Sequence, residues 1–182
     1  MNVINEPLAG LLVIEPDVFK DSRGFFLETW QEKRYQDLGI QEAFVQDNFS
    51  RSTKGTLRGL HYQKNKPQGK LVSAQRGKVF DVAVDIRKDS PTYGSWHGVQ
   101  LSDENHLQMY IPPGFAHGFQ VLSEVADFIY KCTDFYDAAD EGGIRWNDPT
   151  LSISWKQDAN SLIISEKDKN LPFFENLKPK EN

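Results

Sequence analysis

Two histidines stand in segments that could aim them at a common point. His61 lies in Thr56-Leu57-Arg58-Gly59-Leu60-His61-Tyr62-Gln63, which sets a guanidinium and an imidazole three residues apart on a predicted strand. Strict alternation would send Arg58 and His61 to opposite faces. A shared cavity therefore demands a loss of parity between them, and Gly59 is the residue best able to take a bulge. The alternative is a surface arginine and a half-buried histidine satisfied by a backbone carbonyl. His117 follows the turn Ile111-Pro112-Pro113-Gly114 and shares a strand face with Phe115 and Phe119, where a histidine is usually structural. If the fold brought a carboxylate such as Asp168 to His61, it would fix the tautomer and raise the basicity of the ring, the usual arrangement for a histidine general base.

Two histidines and a carboxylate inside a β-barrel could also begin a metal site. Where a His-x-His pair would supply the second imidazole, this chain reads His61-Tyr62-Gln63, and no Glu occurs in the four residues that follow. No metal is expected. His97 and His106 sit beside strand ends in polar surroundings and read as surface residues. Arg23-Gly24-Phe25-Phe26-Leu27-Glu28, Gln46-Asp47-Asn48, Gln68-Gly69-Lys70 and Ser165-Glu166-Lys167-Asp168 each mix charge or amide groups with a turn or strand start. Taken singly, each reads as a solvated loop or rim.

The elements that must carry these groups are mostly strands. From Lys78 to Arg87 the residues Phe80, Val82, Val84 and Ile86 alternate with Val79, Asp81, Ala83 and Asp85, the pattern of a half-buried strand. Further strands are expected at 11–14, 25–30, 43–49, 56–62, 70–74, 96–101, 108–111, 115–122 and 126–133. One early helix is expected from Gln31 to Leu38, with Gly39 as its C′ residue, and a second near the C-terminus is weakly signalled. Many short antiparallel strands that must hide their edges favour an all-β jelly roll or closed barrel with room for a small ligand.

A chain of 182 residues with 26% charged and 12% aromatic side chains is expected to fold as one domain, 1–182. Its net charge of −5 provides no global field for nucleic acid or an anionic bilayer, so an anionic ligand must be met by a local cluster. The single cysteine, Cys132, forbids an intrachain disulfide and suits the cytoplasm. The N-terminal LLVI run is far too short to span a membrane, and the charged tail ENLKPKEN is expected to be an exposed end.

The motifs DSRGFFLETW, QDNFSRS, GTLRGLHYQ, QGKLVSAQRGKVFDVAVDIRKDSPTYG, IPPGFAHGF, YKCTDFY and SEKD occur in one order between Asp21 and Asp168. In that order the chain resembles the dTDP-4-dehydrorhamnose 3,5-epimerase family. The resemblance implies a cupin-type jelly roll, without metal or other cofactor, that inverts the two carbons flanking the ketone of dTDP-4-dehydro-6-deoxy-D-glucose on the route to dTDP-L-rhamnose. It implies His61 as the base, Asp168 as its dyad partner, Tyr130 as the acid on the opposite face, and Lys70 beside the ketone oxygen. Arg58 and His117 resemble the groups that meet the diphosphate. Arg23, Phe26, Glu28, Gln46, Asp47 and Asn48 resemble residues of the substrate and nucleotide site, some of them reaching it from a neighbouring subunit. Tyr136 resembles the ring that stacks on thymine, while Glu141 and Lys167 complete the contacts. A homodimer is implied as well.

Three rivals remain open on these motifs: a paralogue that inverts only one carbon, a non-catalytic jelly roll that binds a nucleotide-sugar, and a metal-dependent cupin oxygenase. The first shares His61 and Tyr130. The second needs Arg58 and Tyr136 but tolerates loss of His61.

Overall fold

The alternation at Lys78–Arg87 becomes a strand in the middle of a sheet, and the rest of the fold can be built outward from it. The computed structural model describes residues 1–177. In chain order the strands are β1 (Asn2–Leu8), β2 (Leu11–Glu15), β3 (Val18–Asp21), β4 (Gly24–Leu27), β5 (Gln46–Thr53), β6 (Leu57–Gln63) and β7 (Lys70–Arg76). They continue as β8 (Lys78–Asp85), β9 (Trp96–Ser102), β10 (Gln108–Ile111), β11 (Phe115–Val121), β12 (Val125–Cys132) and β13 (Glu141–Gly143). Two short helices, α1 (Glu32–Asp37) and α2 (Glu166–Lys169), complete the set with 3₁₀ turns at Ala159–Ser161 and Phe174–Leu177.

A six-stranded sheet in the order β1-β2-β10-β7-β12-β5 faces a five-stranded sheet in the order β13-β6-β11-β8-β9, and every neighbouring pair within them is antiparallel. This is the expected jelly roll. Leu11, Val72, Val79, Leu101, Met109, Phe119 and Phe128 form the core between the sheets. Burying a ring such as Phe128 stabilises the packing by about 1.5–3 kcal/mol. β3 and β4 make a separate two-stranded hairpin outside both sheets, so the strand expected over 25–30 ends early, at Leu27.

β8 differs from the expectation in one respect: it is buried on both faces, not one. Val79 and Ala83 point into the inter-sheet core, whereas Phe80, Val82 and Val84 are covered by Ile144, Leu151 and Phe174 from the C-terminal segment. Phe174 opens the final 3₁₀ turn and is buried; of the ENLKPKEN tail that follows, Glu175 and Asn176 are exposed as expected, Leu177 is partly packed, and the residues beyond it lie outside the described residues. The early helix forms as expected. Gln31 caps it by accepting from the Arg34 N–H, and Gly39 follows with φ 103°, a conformation that favours glycine. Tyr35 on α1 packs with Ile14, Ile40 and Leu71 on the outer face of the larger sheet. Among the described residues no helix is long and apolar enough to cross a membrane.

Candidate active site

Gly59 decides where His61 points. On β11 the step from His117 to Phe119 pairs with the step from His61 to Arg58 on β6, so two residues oppose three and the strand parity is lost. Gly59 sits there with φ 105°, and a Cβ on it would come within 2.6 Å of the His117 carbonyl oxygen. No side chain fits this close approach. The bulge turns Arg58 and His61 toward one cavity of about 590 Å³, lined also by Lys70, His117, Tyr130, Lys167 and Asp168.

Asp168 arrives on α2. Ser165 caps that helix by accepting from the Asp168 N–H at 3.1 Å, and the carboxylate is buried beneath His61. Its Oδ1 lies 2.7 Å from His61 Nε2, and its Oδ2 accepts from the Gly59 N–H at 3.2 Å. Burial works against ionisation of Asp168, but the His61 contact, the Gly59 N–H and the Ser165 hydroxyl outweigh it and hold the carboxyl below its usual range. An ionised carboxylate on Nε2 selects, for the uncharged imidazole, the tautomer with its proton on that nitrogen and Nδ1 as the acceptor. Glu141 Oε1 stands 3.9 Å from Nδ1, while its Oε2 accepts from the Tyr136 hydroxyl at 2.7 Å and from Lys167 Nζ at 2.5 Å.

The facing wall comes from the other sheet. Tyr130 on β12 and Lys70 on β7 belong to the six-stranded sheet, so they approach the cavity from the side opposite His61. Lys70 Nζ is 5.9 Å from the centre of the Tyr130 ring. Burial pulls the Lys70 ammonium below the ordinary lysine range and pushes the Tyr130 phenol above its own. Among the described residues no carboxylate lies within 4.0 Å of Lys70 Nζ, which leaves that cation available to an incoming anion. Arg58 donates from Nε to Ser52 Oγ at 3.2 Å, which orients the guanidinium along the cavity.

A second chamber of about 290 Å³ shares His61, Lys70 and Tyr130 with the first and adds Gln46, Asn48, Tyr136 and Glu141. Four other expected site residues lie elsewhere on this chain. Asp47 points to the other face of β5, where Lys131 Nζ donates to it at 2.9 Å. Arg23 is paired with Asp21 on the β3–β4 hairpin, Phe26 is exposed on the same hairpin, and Glu28 holds Arg34.

His117 is nearly buried and its Nε2 lies 2.8 Å from Asp81 Oδ1. Burial depresses its basicity more than the Asp81 carboxylate restores it. Asp81 is a buried partner of His117 that sequence reasoning assigns only to a strand face; the available signal is a pair of carboxylates, Asp81 and Asp85, on one face of an otherwise apolar strand. His97, on the edge strand β9, and His106 are both half-buried and not fully exposed; the His106 ring packs 4.7 Å from that of Phe25. Among the described residues no group of three or more His, Cys, Asp or Glu side chains is placed to hold a metal ion.

A family model described as dTDP-4-dehydrorhamnose 3,5-epimerase matches residues 5–176. The chain is 53% identical over 168 residues to a dTDP-4-dehydrorhamnose 3,5-epimerase of Methanothermobacter thermautotrophicus, covering 92% of this chain and 91% of that protein. A crystal structure of the enzyme of that name from Elizabethkingia anophelis superposes with a TM-score of 0.93 at 51% identity, covering 97% of both chains. A Legionella pneumophila dTDP-6-deoxy-D-glucose-3,5-epimerase, solved in complex with dTDP-4-keto-L-rhamnose, superposes with a TM-score of 0.92 at 53% identity, covering 100% of this chain and 98% of that one.

Proposed function

The chain belongs to the dTDP-4-dehydrorhamnose 3,5-epimerase family, and from that premise we propose that His61, Tyr130, Lys70 and Asp168 carry the epimerisation of dTDP-4-dehydro-6-deoxy-D-glucose at C3 and C5 to dTDP-4-dehydro-L-rhamnose. His61 Nδ1 takes the proton from a carbon beside the ketone. The C–H electron pair left behind becomes a C=C bond to the carbonyl carbon and the carbonyl π pair moves onto the ketone oxygen, where the Lys70 ammonium meets the enolate charge. Tyr130 then delivers a proton to the same carbon from the opposite face and the ketone re-forms, so the centre is inverted and no redox equivalent is consumed. Asp168 keeps the tautomer in place and stabilises the imidazolium while it lasts.

The observation that carries this reading is that a histidine with its own buried carboxylate and a half-buried phenol enter one cavity from opposite sheets. A planar enolate between them has one group above and one below, as inversion requires. Arg58 and His117 meet the diphosphate, for which a guanidinium fork is suited. Tyr136 stacks on the thymine, with Gln46, Asn48, Glu141 and Lys167 around the nucleotide and sugar. Arg23, Phe26, Glu28 and Asp47 lie away from this cavity, and Phe19, Phe25, Phe26 and Phe49 are large exposed rings. Both facts support a homodimer in which those four residues serve a neighbour's site. We read residues 1–182 as one domain working in the cytoplasm without metal or other cofactor.

The test is incubation of the purified protein with dTDP-4-dehydro-6-deoxy-D-glucose in D₂O, followed by NMR. Deuterium at both C3 and C5 with both centres inverted is the expected result. Inversion at a single carbon would make it a mono-epimerase, and the absence of exchange would favour a binding module.

A further inference from the structure

The loop that presents Tyr136 is held at its main chain by glutamine side chains from three different parts of the fold. Gln63, at the end of β6, donates from Nε2 to the Phe135 carbonyl at 3.2 Å and accepts on Oε1 from the Asp137 N–H at 2.6 Å. Gln46, at the start of β5, accepts from the Tyr136 N–H at 2.9 Å. Gln68, from the β6–β7 connection, donates to the Asp134 carbonyl at 2.8 Å. Every residue from Asp134 to Asp137 thus gives a peptide group to a glutamine.

Gln63 is the centre of this arrangement. It is buried, and its second amide hydrogen goes to the Lys66 carbonyl at 2.8 Å. Both donors and the acceptor are used, and a flipped amide would set NH₂ against N–H and C=O against C=O, so one orientation is selected. Gln63 also stands two residues after His61, on the same strand and parity. The Tyr136 ring has no comparable hold of its own among the described residues: it is exposed, and the one side-chain hydrogen bond it makes to them is the hydroxyl to Glu141. Main-chain bonds to buried amides therefore do the work that ring packing does elsewhere.

We infer that Gln63 is a positioning residue which, with Gln46 and Gln68, pre-forms the Tyr136 loop as a platform for the nucleotide base and ties it to the strand that carries the base catalyst. The inference rests on the reading of Tyr136 as the thymine-stacking ring. Its consequence is a division of labour. Loss of Gln63 loosens nucleotide binding through Tyr136, and it affects proton transfer at the sugar far less, because the His61–Asp168 pair is held independently by α2.

The experiment is a double-mutant cycle on dTDP binding, measured by calorimetry with wild type, Gln63→Leu, Tyr136→Ala and the double variant. Losing its two loop-fixing hydrogen bonds should raise Kd by about tenfold in Gln63→Leu. The double variant should bind no more weakly than Tyr136→Ala, within about twofold, because the Gln63 effect runs through the ring. KM should rise by a similar factor while kcat falls less. Gln63→Glu keeps the shape and the Asp137 contact but loses both donations, and it reports the same loss should the leucine variant not fold. Tight wild-type binding with Kd for Gln63→Leu or Gln63→Glu within twofold of it overturns the inference alone, as do losses that multiply in the double variant. Failure of wild type to bind dTDP at all overturns the nucleotide reading and the inference with it.

Discussion

His61 and His117 are direct partners across the β6–β11 ladder, yet each imidazole is tied to a different carboxylate, Asp168 for the first and Asp81 for the second. The difference between them is access. His117 is almost wholly buried with its partner, whereas the His61 ring keeps 29% of its surface open to the cavity. Only the open ring can exchange a proton with a ligand and return it. His61→Ala is expected to abolish deuterium exchange at both carbons, with a loss in kcat on the order of 10²–10⁴. Asp168→Asn, which keeps the shape but no longer fixes Nε2–H, should cut kcat with little change in KM. Full exchange activity in His61→Ala would falsify the base assignment.

Tyr130→Phe removes the proton donor and leaves the base. First-carbon exchange with solvent should persist while net inversion falls by about 10²–10⁴. The ratio of exchange to product formation, read by NMR in D₂O, checks this; an equal fall in both would assign Tyr130 to binding.

The two half-buried groups of the facing wall are shifted in opposite directions. Desolvation pulls the Lys70 ammonium below the ordinary lysine range and pushes the Tyr130 phenol above its own, so loss of charge at the lysine moves toward neutral pH and loss of the phenol's proton moves away from it. If the cation stabilises the enolate, kcat must fall as pH rises through the lowered Lys70 value. Lys70→Arg should move this alkaline limb upward, and Lys70→Met should remove the limb and cost about 10²–10³ in kcat. A limb unmoved by both substitutions would exclude Lys70 from the rate.

Much of the framework around this wall is legible in the residue order alone. β10 occupies the expected 108–111, α1 the expected 31–38 within a residue at each end, and the parity change at Gly59 occurs where Arg58 and His61 require it. Short or polar strands are not legible in the same way. β13 is Glu141-Gly142-Gly143, which has no side-chain reason to be extended and forms by pairing with β6; β1 holds Asn2, Asn5, Glu6 and Pro7 and gains its strand character from β2. The double burial of β8 depends on what the C-terminal segment covers, which no local pattern records. Gln63 and Asp81 do not read as site residues, because their partners lie 72 and 36 residues away and local spacing carries no trace of such contacts.

Acid stability should depend on Asp85, at the end of β8. It is fully buried; burial opposes its ionisation, but Arg87, Ser90 and Thr92 all donate to it and bring its pKa down from 3.8 to about 2. A depressed folded-state pKa means a contribution that is fully present above the unfolded value and lost as pH falls toward about 2. Its size is about 2 kcal/mol. Urea midpoints between pH 6 and pH 2 should therefore fall less steeply in Asp85→Asn than in wild type, even though the variant is less stable at pH 6. Equal slopes would show that Asp85 is not the group responsible.

The sequence separation of 107 between His61 and Asp168 also sets an order of events during synthesis. At roughly 5–20 residues per second the histidine leaves the ribosome roughly 5–20 s before its carboxylate exists. Once β11 has followed, the nascent chain can pair it with β6 but still holds an imidazole without the carboxylate that fixes its tautomer. Competence comes late and in one step, when Ser165 starts α2 and Asp168 is drawn under the ring. A chain stalled before that point carries the Tyr136 loop and its glutamines without the carboxylate beneath His61.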